Sequence, residues 1–529
     1  MKIRKKQTWI ALLLAVALVV LSGCEAVSGL DLNKAIQNSL SIKSSEGSQT
    51  ISLEIVPNPL ATFMVENDKK LLELFSNVKL TITDAKQQDY THASLKGIFE
   101  YNKGKIPFQL TVADQNYTIM VEGAKKPIVI SNNGSFQQGQ QAMSAEMQDV
   151  IKQMQLKVYE WYPALGAYIT GISPNPNNIS ASKGTEIIGT ETVSGTKVHA
   201  EIKGTELVGL VKKFLTNMLA DEKGLKDALG QIYDLFVPII KQSLKESESA
   251  DAPNPYGNVI APYLNNKTLA VEFAFTFITS NLKSALESFD GTVQSMKESY
   301  QGESLNVLLS DQLKLKTDMF IDNDLMPRKA TTEVMFTLPA DNTTALQSIK
   351  LTSTAQNWNI NKPVKVDVID TSAGVTEIKE FNKPTQFLAL LDPKSKLYEL
   401  LKNDLHITKK EINLLMDNSS SSYNDSTKPY IRNGITMVPA RFVVEQLESD
   451  VSWNQATQQV TITDPVSGAV INLNIGSKQA TVNGMIKPLE VEAELKDGTT
   501  FVPVRFIAEN LGTKVSWNPE LQMVTISRD

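Results

Sequence analysis

The C-terminal end of the chain copies itself. Gly434-Ile435-Thr436-Met437-Val438-Pro439-Ala440-Arg441-Phe442 answers to Gly498-Thr499-Thr500-Phe501-Val502-Pro503-Val504-Arg505-Phe506, an offset of 64. The offset holds without a gap through Val451-Ser452-Trp453-Asn454 against Val515-Ser516-Trp517-Asn518, and through Val460-Thr461-Ile462 against Val524-Thr525-Ile526. An internal duplication constrains a fold more than composition does, because both copies must adopt one supersecondary unit. Each copy (433–464 and 497–528) reads as a glycine turn, a short strand, a proline at the first turn of a brief helix, a Val-Ser-Trp strand, an Asn turn and a returning Val-Thr-Ile strand. Gly512 suits the position just past the second helix, and Ser449 holds the corresponding place in the first copy. Arg441 and Glu445, like Arg505 and Glu509, stand four apart and can meet; their recurrence assigns them to structure. A copy alone offers too little apolar surface to be stable. Pro429 to Asp529 is therefore expected to fold on its own around one shared core, with Trp453 and Trp517 buried in it.

The Val-Pro-x-Arg-Phe run, the Val-x-Trp strand and the Val-Thr-Ile ending resemble the N-terminal domain of copper amine oxidase. This domain is also called a stalk domain and occurs in surface proteins of spore-forming Gram-positive bacteria. The resemblance covers about a fifth of the chain and implies a small α+β module, not an activity. In copper amine oxidases the copper and the tyrosine-derived quinone belong to a separate domain, with histidine ligands and a Thr-x-x-Asn-Tyr-Asp/Glu motif. The chain has 3 histidines, His92, His199 and His406, on distant segments and outside the repeat. Asn116-Tyr117-Thr118 lacks the acidic residue. No metal site, catalytic residue or cofactor is expected.

At the other end, Lys2, Arg4, Lys5 and Lys6 precede an apolar run from Trp9 to Leu21. That run falls short of the roughly 20 residues that span a bilayer and has the build of a secretory signal. Leu21-Ser22-Gly23-Cys24, which holds the chain's 1 cysteine, resembles the lipobox of bacterial lipoproteins. The resemblance implies that the Cys24 thiol takes a diacylglycerol and that residues 1–23 are removed. The protein would then be anchored by lipid on the outer face of the cytoplasmic membrane of a Gram-positive bacterium. The alternatives are an ordinary signal with a chance cysteine, or a short uncleaved anchor. Removing the four basic residues takes the formal charge from −6 to −10. An acidic chain gains little from counterion release, which argues against nucleic acid as a partner. A lipidated Cys24 leaves no thiol for a disulfide, a thiolate metal site or a nucleophile.

Between these ends, residues 24–50 are small and polar, suited to a tether, within which Leu30 to Ile42 can form a short helix. Residues 51–416 form a body, and 417–428, with Ser419 to Ser422, form a flexible linker. Val78 to Thr83, Ser94 to Tyr101 and Pro107 to Val112 alternate as half-buried strands, as do segments within Leu305–Leu338 and Ser348–Asn357. Glu186 to Glu201 reads as a hairpin turning at Ser194-Gly195. Glu206 to Glu246 carries a wide apolar helical stripe, divided at Gly224. Leu269 to Ile278 fits a strand or a helix, and Ile407 to Met416 reads as a helix. The fold class is α+β: a β-rich body with amphipathic helices, plus the small duplicated module.

The body resembles the half-barrel of bacterial lipoprotein carriers, in which a curved antiparallel sheet wraps helices around an apolar cavity. That resemblance implies a hydrophobic, lipid-like ligand. No nucleophile elbow, zinc-protease helix, phosphate loop or EF-hand loop is present. The expected function is non-catalytic: envelope binding or scaffolding, with a cell-wall polymer as partner, or carriage of an apolar ligand. An envelope-polymer hydrolase built on carboxylates is the competing class. A transporter's solute receptor is a third, which parallel βαβ units would mark.

Overall fold

The computed structural model describes residues 27–113, 116–131, 144–248, 257–299, 302–338, 344–377, 383–416 and 428–528. Cys24, the signal 1–23 and linker residues 417–427 lie outside the described residues. The chain divides into two compact units, Met1–Ile119 with Ser131–Ile369, and Met120–Ile130 with Asp370–Asp529. The second unit thus begins well upstream of the linker that the sequence offers as a boundary.

The first unit is α+β. It opens with β1 (Ser45–Pro57), β2 (Asn77–Gln87), β3 (His92–Tyr101) and β4 (Gly104–Ala113). β5 (Asn116–Val121) crosses the unit boundary and β6 (Ile128–Ser131) falls almost wholly in the second unit; the first unit resumes with β7 (Asn178–Ile188), β8 (Glu191–Lys203), β9 (Leu313–Asp322), β10 (Pro327–Thr337) and β11 (Leu346–Trp358). The run β4-β3-β2-β1-β11-β10-β9-β8-β7 is antiparallel throughout. It belongs to a curled, open sheet of half-barrel type. β8 and β9 are neighbours although a long helical insertion separates them.

The helices are α1 (Leu32–Leu40), α2 (Glu66–Leu74), α3 (Ala145–Ile172), α4 (Gly204–Ala220), α5 (Glu222–Glu248), α6 (Gly257–Asn265), α7 (Lys267–Glu287), α8 (Phe289–Glu298) and α9 (Gly302–Leu308). The ambiguous Leu269–Ile278 stretch resolves as helix, capped where the Asn266 side chain accepts the Leu269 N–H at 3.1 Å. The break between α4 and α5 falls at Asp221, whose carboxylate accepts the Gly224 N–H at 2.9 Å. An aspartate offering this bond ends one helix and starts the next.

The hairpin of β7 and β8 turns at Gly189 (φ +60°), not at Ser194-Gly195. Gly195 lies within β8, where a Cβ would stand 2.1 Å from the Ile321 carbonyl oxygen. Its glycine answers a close approach by β9 rather than a turn. Residues 302–308 are helical, so the strand expected from Leu305 begins only at Leu313.

The second unit is organised by its duplication. The strands Ile435–Pro439 and Thr499–Pro503 pair antiparallel with Val438 opposite Val502, the same residue of each copy. That self-pairing places a local two-fold axis between the copies. The turns before them use Asn433-Gly434 and Asp497-Gly498, all at positive φ, the chemistry of a tight hairpin. Pro439 and Pro503 then stand immediately before the helices Ala440–Gln446 and Val504–Asn510. Val443, Val444, Leu447, Val460 and Ile462 share one buried cluster with Ile507, Ala508, Leu511, Val524 and Ile526.

Three expectations about this module change. Glu448 (φ +59°), not Ser449, answers to Gly512 (φ +73°) in the left-handed position after each helix. Trp453 and Trp517 are 38% and 46% exposed and are not core residues. Both lie on strands at a sheet edge, where Val451 and Val515 make the core contact instead. Lastly, Lys410–Leu415 is a strand rather than a helix and pairs with Met523–Arg528 along its length. Ile412 and Leu414 are buried, while Glu411, Asn413 and Leu415 are exposed. This strand gives the second copy the neighbour that Val470–Asn474 gives the first.

The axis is tied by a buried ion pair between equivalent positions, Asp464 and Arg528, 2.8 Å apart and 0% and 3% exposed. Arg528 also donates to the carbonyls of Leu447 (2.9 Å) and Leu511 (3.1 Å), the equivalent residues that cap the C-terminal ends of the two helices. Asp464 further accepts from the Ser449 hydroxyl (2.6 Å) and from the Ser467 N–H (2.8 Å).

Two outcomes follow. A fragment from Thr408 to Asp529 melts in one transition, whereas Pro429 to Asp529 is less stable by at least about 3 kcal/mol, because two buried aliphatic side chains at about 2–5 kcal/mol each are missing; calorimetry of both fragments checks this. Arg528→Met alone costs about 3–5 kcal/mol by stranding the Asp464 charge, while Arg528→Met with Asp464→Leu recovers most of the loss, as denaturant melts of the three proteins will measure.

Candidate apolar site

Alternation along each strand places one set of side chains of the first unit on the face that meets the helices. Val198, Ala200 and Ile202 of β8 and Leu313, Leu315 and Ile321 of β9 are buried there. They pack against two helical groups, one with α4 (Leu207, Leu210) and one with α1 (Leu32, Ala35). Val334 and Phe336 of β10 join the first cluster, which fixes the side of the sheet for every register that follows.

From β10 onward the same face is covered less. Val334 stands opposite Leu351, Leu351 opposite Leu53, and Leu53 opposite Val78. The next row toward the strand middles runs through Ile51, Leu80 and Phe99. Of these, Val334, Leu53, Val78, Ile51, Leu80 and Phe99 are only half-buried, and Leu351 is 40% exposed. In an ordinary one-sided sheet such residues disappear beneath the opposite layer. Here the centre of the apolar face keeps access to solvent.

The electrostatics reinforce the asymmetry. Through β4, β3, β2, β1, β11 and β9, and the 330–336 stretch of β10, no charged side chain stands on this face. The charges sit on the other face, where Lys350 pairs with Glu333 at 3.1 Å. There also Asp367 is gripped by Lys86 (2.8 Å) and Lys96 (2.6 Å). Hydrogen bonds from Lys86 and then Lys96 hold the Asp367 carboxyl down at about 2, against the burial that would raise it.

The helices add apolar surface of their own. Leu269, Phe273 and Phe277 follow one another at helical spacing on α7, the two rings 56% and 62% exposed. Ile232, Phe236 and Ile240 do the same on α5. Salt bridges from Lys226 to Glu272 (2.8 Å) and Lys267 to Asp234 (2.5 Å) strap the two helices together. Leu60, Phe63 and Val65, on the connection between β1 and β2, are exposed as well.

The residues proposed for other chemistry do not converge. His92 pairs with Asp89 and His199 with Asp318, each at about 3 Å. No group of three or more His, Cys, Asp and Glu side chains able to hold a metal ion occurs among the described residues. Arg441 and Glu445 approach to 3.3 Å and Arg505 and Glu509 to 3.9 Å, all well exposed. Glu448 is built in more deeply. Burial raises its carboxyl, but the Lys410 ammonium at 2.7 Å and the Thr385 N–H and hydroxyl outweigh that and hold it below the ordinary range. A mixed crevice of about 720 Å³ is lined by Ser41, Lys43, Ser44, Gln88, Asn361 and Lys362 together with the apolar Pro363 and Val364. Its walls bond each other, Lys43 N–H to Asn361 at 2.9 Å and the Ser44 hydroxyl to the Lys362 carbonyl at 2.7 Å.

Residues 416–526 match the copper amine oxidase N-terminal domain. That module is non-catalytic and structural. Comparison with curated proteins returned no match. No helix among the described residues is long and apolar enough to cross a membrane.

Uneven coverage has a measurable consequence. Leu315→Ala, under the helices, costs about 2–5 kcal/mol, and Leu351→Ala, on the open part of the same face, costs under about 1 kcal/mol. Chemical denaturation of the two variants checks the contrast.

Proposed function

We propose that this protein is a non-catalytic lipoprotein that holds an apolar ligand against the open face of its large sheet. One observation carries the reading: an apolar face that bears no charge on β1–β4, β9, β11 and the 330–336 stretch of β10, and whose centre stays accessible although helices cover its β8–β9 end. The exposed Phe273 and Phe277 and the apolar Leu60, Phe63 and Val65 support it, since a carrier must take its ligand from a lipid surface and return it. The antiparallel order of the sheet supports a half-barrel carrier over a solute receptor. In this reading the C-terminal duplicated module is a spacer or docking element at the cell envelope.

The anchor follows from the lipobox. Cys24 takes the lipid, residues 1–23 are removed, and the body is held on the outer face of the cytoplasmic membrane. Cys24→Ala then moves the protein from the membrane fraction to the soluble one; unchanged fractionation would sink the anchor. Native mass spectrometry of the full chain purified without added lipid finds co-purifying lipid or another long-chain apolar molecule, and the amount falls several-fold with Leu53→Lys. Protein that emerges empty from every preparation and takes up no lipid on incubation would remove the carrier reading.

A further inference from the structure

The open face is not uniformly apolar. Thr317 of β9, Thr332 of β10 and Ser353 of β11 stand opposite one another in successive registers. The Thr317 and Thr332 hydroxyls bond at 3.2 Å, and Gln49 of β1 donates its amide N–H to the Ser353 hydroxyl at 3.2 Å. Thr317 is buried, and the other three are half-buried. The three hydroxyls form a polar band across β9, β10 and β11, about 10 Å from end to end at the usual strand spacing; on β1 Ile51 stands opposite Ser353, and Gln49, opposite Ala355, reaches the band diagonally.

The band lies inside the apolar face, not at its rim. On one side of it run Leu315, Val334, Leu351 and Leu53. On the other run Met319, Ala330 and Ala355. A molecule lying along the strands would thus meet apolar wall, then hydroxyls and an amide, then apolar wall again. A hydroxyl keeps acceptor and donor capacity beyond a single bond, so the band can recognise a hydrogen-bonding group. It has no cation to neutralise a phosphate or carboxylate and no anion to meet an amine. A charge brought there would be desolvated without a partner, which costs far more than burying an ester or hydroxyl that is hydrogen-bonded.

We propose that the site selects an uncharged amphiphile whose polar group lies between apolar segments, a neutral glycerolipid of the diacylglycerol type, seated with its ester or hydroxyl oxygens on Thr332, Ser353 and Gln49. This rests on the carrier reading above and narrows it. It also separates two lipid classes that a merely greasy groove would hold alike.

The test uses the full chain carrying Cys24→Ala, so that its own acyl groups do not compete. It is incubated with an equimolar mixture of dioleoylglycerol, dioleoyl phosphatidate and oleic acid, then analysed by native mass spectrometry. Dioleoylglycerol is expected to be retained about tenfold or more over the two acids, the scale set by leaving one buried charge or polar group unpaired. Thr332→Val with Ser353→Ala removes both hydroxyls at nearly constant shape and brings the ratio toward one. Thr331→Val with Thr354→Val, a hydroxyl pair 3.2 Å apart on the opposite face, leaves the ratio unchanged. Equal retention of the three lipids, or a preference that survives loss of Thr332 and Ser353 hydroxyls, overturns the headgroup assignment and leaves the carrier reading standing. Retention of no lipid at all overturns both.

Discussion

A single ladder makes one sheet out of two meanders. Glu46 to Pro57 of β1 pair with Trp358 to Leu346 of β11, strands from opposite ends of the first unit. The Trp358 indole seals the far end by donating to the Glu46 carboxylate, 312 residues away, at 3.1 Å. Without this ladder, β1–β4 and β7–β11 would each present a long unpaired edge. The open face would then be split, because Leu351 and Leu53 face each other across that seam. Such a remote pairing carries a large loop-closure cost before it is rewarded. The face on which function is proposed thus exists only when this remote ladder is in place.

The duplicated unit solves a different problem, how two copies of one sequence share a core. Its two-fold pairing requires that the residue nearest the axis meet its own equivalent. Two aspartates there would repel, as would two arginines. Here the two copies differ, with Asp464 in the first and Arg528 in the second, and the two neutralise each other where neither meets water. Arg528 alone closes the ends of both helices. Replacing it would therefore disturb each copy equally, although it belongs to only one.

Local periodicity was readable wherever a segment's own side chains decide its structure. Val78-Lys79-Leu80-Thr81-Ile82 announces a half-buried strand, and the Val-Pro-x-Arg-Phe repeat announces the module. Reading failed where the deciding partner is remote. Ile412 and Leu414 alternate over too few residues to reveal a strand whose mate lies at Val524 and Ile526. Gly195 has the look of a turn but is small because Ile321 passes close by. The equivalent places of Trp453 and Trp517 in the two copies point to a shared core, yet their edge position leaves them at the surface. The candidate site belongs to the same class. Each strand shows its alternation, but nothing in the sequence says that Thr317, Thr332 and Ser353 will stand side by side. Incomplete burial of Leu351 depends on where helices lie, which no single strand encodes.

The strand Lys410–Leu415 has a mechanical meaning. It runs antiparallel to Met523–Arg528, so Lys410 and Arg528 are partners at the same end of the ladder. Tension drawn between the upstream chain and the C-terminus pulls on these two residues together. The ladder is then loaded as a zipper, one hydrogen bond at a time, rather than in shear, where all bonds would resist at once. The first residue such a force would lift is Arg528, which also holds both helices. A pull on Arg528 would thus begin by unlocking the whole duplicated core.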